Sequence, residues 1–98
     1  MAELNWSERA SVDLEEICAY IARSSEANAH DIARRFQDAA ELLRDHPLMG
    51  SLVPEYERLG VRERVVQNYR MLYRVKGDVV TIAAIYRGAR RLPRRPPN

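Results

Sequence analysis

NYRMLYRVKGDVVTIAAIYRGAR, residues 68–90, reads as two strands and a turn. In the first strand Tyr69, Met71, Tyr73 and Val75 alternate with Arg70, Leu72 and Arg74. That two-residue period places the two sets on opposite faces. Lys76-Gly77-Asp78 is the turn, and Val79 to Arg87 is a second strand. With Gly77-Asp78 as a two-residue hairpin loop, Val75 opposes Val80, Tyr73 opposes Ile82 and Met71 opposes Ala84. This apolar face, with Tyr86 on it by parity, should meet the rest of the core. The other face would gather Arg70, Leu72, Arg74, Thr81, Ala83, Ile85 and Arg87, with Arg70 across from Ile85. A one-residue slip would reverse both faces.

Upstream the period changes. Ala10, Leu14, Ile17, Cys18 and Ile21 recur at helical steps after Ser7, a suitable N-cap, predicting a first helix over residues 7–23. Ala29, Ile32, Ala33, Phe36, Ala40 and Leu43 predict a second over 26–45. It stops before Pro47, which disfavours helical geometry in the residue preceding it. The short link between them makes an antiparallel hairpin. Residues 47–60 are a loop punctuated by Pro47, Gly50, Pro54 and Gly60, and Val61 to Gln67 reads as another strand. The expected fold is α+β: an N-terminal helix hairpin on a small antiparallel sheet of three or four strands. Residues 1–92 form the one domain, and 93–98 a Pro/Arg-rich tail.

The totals agree with a single small domain. The chain has 98 residues, 46% of them hydrophobic and 31% charged. No apolar run nears the roughly 18 residues of a membrane span. The N-terminus has no basic stretch followed by an apolar one, and the single cysteine, Cys18, cannot close an internal disulfide. These features argue for the cytoplasm and against a membrane. The net charge of +2 divides into −7 over residues 1–57 and +9 over residues 58–98. Nearly all the cations are arginines, whose flat fork suits carboxylate and phosphate, so the C-terminal half should meet anions.

Taken in order, the opening LNWSERASVDLEEICAYIA, the middle HPLMGSLVPEYERLGVRE and the pair NYRMLYRV and VVTIAAIYRGAR resemble the RelE/ParE superfamily of toxins from type II toxin–antitoxin pairs. The long helix hairpin, GVRERV and GARRLP are closer to the ParE branch. The resemblance implies a small toxin neutralised by an acidic ParD-like antitoxin encoded beside it. ParE-like members are regarded as poisons of DNA gyrase, and RelE-like members cut mRNA on the ribosome without a metal. Many ParE-like sequences carry histidine where this chain has Arg87.

A metal-free ribonuclease needs a base, an acid and cations around the phosphorane. By resemblance to RelE-like nucleases, Arg70 and Arg90 match phosphate-binding arginines. After Arg90 the chain offers no tyrosine or histidine to complete such a site. Glu63 is either a base or an ion-pair partner. No catalytic residue is assigned. Cys18 lies on an apolar stripe and reads as packing. His30 and His46 have no metal-ligand spacing, so neither a metal nor a cofactor is expected. Asp13, Glu15 and Glu16 read as a solvated helix face. The candidates for target or phosphate contact are Arg62, Arg64, Arg70, Arg87, Arg90 and Arg91; for Arg62 and Arg64, pairing with Glu63 or Glu57 is the alternative. The candidates for antitoxin contact are Arg70, Leu72, Arg74, Ile85 and Arg87. Three functions stay open: a gyrase-inhibiting toxin, a ribosome-dependent mRNA endonuclease, and a non-catalytic module that binds an antitoxin.

Overall fold

The computed structural model describes residues 1–88 and 91–97. Two helices, α1 (Glu8–Ala22) and α2 (Glu26–Asp45), follow a short strand β1 (Glu3–Trp6). Their starts are set by side-chain caps. Ser7 Oγ accepts from the Ala10 amide at 3.0 Å, and Ser25 Oγ accepts from the Asn28 amide at 3.1 Å. Each cap satisfies an amide that has no partner within the helix. The remaining strands are β2 (Ser51–Leu52), β3 (Arg62–Val66), β4 (Tyr69–Lys76) and β5 (Val79–Arg87), with a 3₁₀ segment at Pro54–Leu59 between β2 and β3.

The α+β class and the helix hairpin are as expected, but the sheet is larger and mixed. Its order is β1-β5-β4-β3-β2. β1 runs parallel to β5, with Leu4 beside Val80 and Trp6 beside Ile82, and the helix hairpin carries the chain from β1 at one edge of the sheet to β2 at the other. The Ala2 amide donates to the Arg44 carbonyl at 2.9 Å, and Arg44 Nε returns a bond to the Ala2 carbonyl at 3.0 Å, pinning the N-terminus to the end of α2.

The β4–β5 hairpin turns on Gly77-Asp78 as the sequence predicts, and Gly77 takes φ 58°. Val75 pairs with Val80 and Tyr73 with Ile82. The register then shifts: Leu72 pairs with Ala84, Met71 with Ile85, and Arg70 with Tyr86. Ala83 is the extra residue of a bulge, and a bulge changes which side the following residues face. Met71 therefore opposes Ile85 rather than Ala84, and Arg70 opposes Tyr86 rather than Ile85. Ile85 joins the helix-side core with Val80 and Ile82, whereas Ala84 and Tyr86 join a second cluster. Arg70 and Arg87, expected to share a face, lie on opposite faces.

That second cluster covers part of the sheet face expected from sequence to be open. Val53, Tyr56, Val61, Leu72, Ala84, Tyr86 and Leu92 pack together beneath the 3₁₀ segment and the C-terminal segment. The helix-side core is built on Phe36, Leu43, Met71, Tyr73, Val80 and Ile82. Phe36 meets Tyr69 edge-on at 5.7 Å between ring centroids. The second cluster thus covers part of the other side of the sheet, where Val65 stays exposed, and Leu92 of the C-terminal segment contributes to it.

Candidate functional site

Arg70 sits in a clamp of acids. Its Nη2 lies 2.6 Å and its Nε 3.0 Å from the two oxygens of Glu63, the forked geometry that arginine makes with a carboxylate. Glu55 approaches the outer side at 3.4 Å and 3.5 Å. The bond to Glu63 is the main cause of a guanidinium pKa held well above its ordinary value, with Glu55 adding to it against the cost of burial. The Glu55 carboxyl is held below its usual range by its own backbone amide first and by Arg70 second. Glu63 is therefore the ion-pair partner of Arg70. An anion reaching Arg70 must compete with two carboxylates.

The other strand arginines divide. Arg62 donates to the Gly50 carbonyl at 2.7 Å and holds the loop before β2. Arg64 is half-buried, and its Nε has no hydrogen-bond partner among the described residues. Arg74 is half-buried across from Thr81. Leu72 and Ile85, expected to be accessible, are both buried, and they lie in different clusters on opposite sides of the sheet. The bulge and the covering C-terminal segment are the physical reasons.

Arg87 opens onto a cleft of about 470 Å³ between α1 and the end of β5, lined also by Arg9, Asp13, Glu16, Ile17, Tyr20, Tyr69, Ile85 and Tyr86. β1 ends at Trp6, which leaves the last residues of β5 without a strand on that edge. The start of α1 supplies partners instead. Ser7 Oγ donates to the Ala83 carbonyl at 2.9 Å, and the Ile85 amide donates to Asp13 Oδ2 at 2.9 Å. Asp13, read from sequence as solvated, is thus a backbone cap. It also pairs with Arg9, whose guanidinium lies 5.3 Å from the Tyr86 ring centroid, a cation–π distance. Burial opposes the Arg9 charge, but the Asp13 bond and charge outweigh it and raise the Arg9 pKa. The apolar stripe of α1 is incompletely covered: Leu14, Ile17, Cys18 and Ile21 are all half-exposed. Cys18 points its thiol at the Ala29 carbonyl, and burial raises its pKa, as suits a packing residue.

The C-terminal segment is docked. Leu92 is buried in the second cluster, and the Tyr56 hydroxyl donates to the Pro93 carbonyl, with the Arg95 carbonyl 3.4 Å away. Arg91, Arg94 and Arg95 are exposed along it. Arg90 lies outside the described residues. Among the described residues no group of three His, Cys, Asp or Glu side chains could hold a metal ion, and no helix is long and apolar enough to cross a membrane.

The model of the ParE toxin of the type II toxin–antitoxin system parDE matches residues 4–92. The chain belongs to the ParE toxin family. A solved structure described as the chromosomal ParDE toxin–antitoxin system from P. aeruginosa is similar at a TM-score of 0.71 and 26% identity, covering 89% of this chain and 96% of that one. No curated protein matches the chain. The ParE match ends at Leu92, so most of the docked C-terminal segment lies beyond it.

Proposed function

We propose that this ParE toxin inhibits DNA gyrase through protein contact and is neutralised by a ParD-like antitoxin. Membership of the family carries the toxin reading. The observation that favours contact over catalysis is the Arg70 clamp. Arg70 is the cation that mRNA cleavage would need at the phosphorane, and here two carboxylates neutralise it. For the endonuclease alternative, a phosphate would first have to displace Glu63 and Glu55 from Arg70.

For the antitoxin, the geometry supports a seat along α1. Its half-covered apolar stripe, the exposed Val12 and Tyr20, and the cleft where Arg87 stands beside Glu16 and the Arg9–Asp13 pair combine apolar surface with one exposed cation. An acidic, amphipathic segment that orders on binding fits such a surface. Arg87 remains the proposed contact residue there. Arg70 and Arg74 are proposed contacts at the opposite face, and Leu72 becomes available only to a partner that lifts the C-terminal segment.

Purified toxin added to purified gyrase should block supercoiling of plasmid DNA and accumulate cleaved DNA. Adding the antitoxin encoded beside it should reverse both effects. Arg87→Ala should weaken antitoxin binding by about 1–2 kcal/mol, that of a charge-assisted contact, with an unchanged melting temperature. Undiminished supercoiling at saturating toxin contradicts the proposed target.

A further inference from the structure

We propose that the docked C-terminal segment, residues 91–97, is a binding strap for the phosphate backbone of duplex DNA. This goes beyond the target reading and does not rest on it. Residues 79–98 contain no acid. Arg91, Arg94 and Arg95 are exposed, and among the described residues none of them forms an ion pair. They are not carried on a loose tail. Leu92 anchors one end in the second cluster, Pro97 is buried at the other, and Tyr56 bonds to the backbone between them. Pro93, Pro96 and Pro97 restrict the backbone further. Cations held in place lose less freedom on meeting a phosphate than cations on a free chain.

Phosphate fits this strap better than an acidic protein segment does. An amphipathic partner needs apolar surface among the charges, yet within residues 91–97 the one large apolar side chain, Leu92, is buried. Duplex DNA fits better than single-stranded RNA, whose splayed bases are held by stacking on aromatic rings. Tyr20, on α1, is the one large aromatic among the exposed large apolar side chains of the described residues.

The test uses the full-length chain and a fluorescently labelled duplex of about 25 base pairs, longer than three phosphate contacts require. Three neutralised phosphates predict a log–log salt slope of about −2.7, or roughly a forty-fold loss of affinity between about 50 and 200 mM salt. Arg91→Gln/Arg94→Gln/Arg95→Gln should cost more than ten-fold at low salt and flatten the slope, with an unchanged thermal melt because all three side chains are exposed. Tyr56→Phe keeps every charge; it should weaken binding while leaving the slope as it was. Four results would each overturn the proposal: salt-independent binding, a triple variant that binds like the parent, tighter binding of single-stranded RNA, or competition by polyglutamate as effective as that by DNA.

Discussion

Gly50 has no room for a side chain. A Cβ there would fall 2.5 Å from the Glu63 carbonyl oxygen and 2.6 Å from the Tyr73 hydroxyl. That hydroxyl is itself engaged, accepting from the Gly50 amide at 2.9 Å and donating to the Pro47 carbonyl at 2.8 Å. Tyr73 thereby ties the loop after α2 to the centre of the sheet. Gly50→Ala should destabilise by about 2–3 kcal/mol through overpacking, lowering the melting temperature by about 10–20 °C for a chain of this size. From sequence Gly50 reads only as loop punctuation, because its crowding comes from residues 13 and 23 positions away. Tyr56 yields a pH prediction. Burial is the first cause of its raised pKa, so the neutral, hydrogen-bonding hydroxyl is favoured in the folded state. The stability it contributes is fully present below the unfolded value of about 10 and is lost as pH rises through the higher folded one. Alkaline titration should release the C-terminal segment, seen as faster cleavage by an arginine-specific protease after Arg91 or Arg94. Tyr56→Phe should show that release at neutral pH.

At the scale of elements, the helices were legible and the end of β5 was not. Ser7 and the apolar stripes mark the helices through local rules that tertiary packing does not override here. VVTIAAIY, in contrast, is nearly all apolar, so it has no alternation from which to read a face. The bulge at Ala83 is invisible in it, and that one residue separates Arg87 from Arg70. β1 was missed because four residues give only Leu4 and Trp6 as a period, and its pairing depends on a strand more than seventy positions away. The end of β5 instead depends on Asp13. Asp13→Ala should expose or orphan the Ile85 amide and release Arg9, costing about 1–3 kcal/mol in urea unfolding; a loss below about 0.5 kcal/mol would mean the cap is dispensable. The Arg70 clamp predicts a coupled pair. Arg70→Ala should cost about 2–4 kcal/mol by leaving Glu63 half-enclosed and unpaired, whereas Arg70→Gln/Glu63→Gln should recover most of that loss.

For the whole molecule, the division of charge has a structural counterpart. The acidic N-terminal half supplies the helix hairpin, the incompletely covered α1 stripe and Asp13. The basic C-terminal half supplies the sheet centre and a docked segment with exposed arginines. The α+β class and the toxin family were legible because periods, turn and motif order are all local. The partial covering of the second sheet face was not, because a Pro/Arg-rich end has no pattern that predicts docking; Leu92 and Tyr56 meet only in three dimensions. The central claim is that this toxin acts on gyrase without cutting RNA, and one measurement tests it most directly. The toxin is induced in cells without its antitoxin, and gyrase-linked DNA breaks and mRNA ends are mapped in the same culture. The account predicts DNA breaks that disappear in cells carrying toxin-resistant gyrase, with mRNA ends unchanged. Codon-positioned mRNA cuts without gyrase-dependent breaks would contradict it.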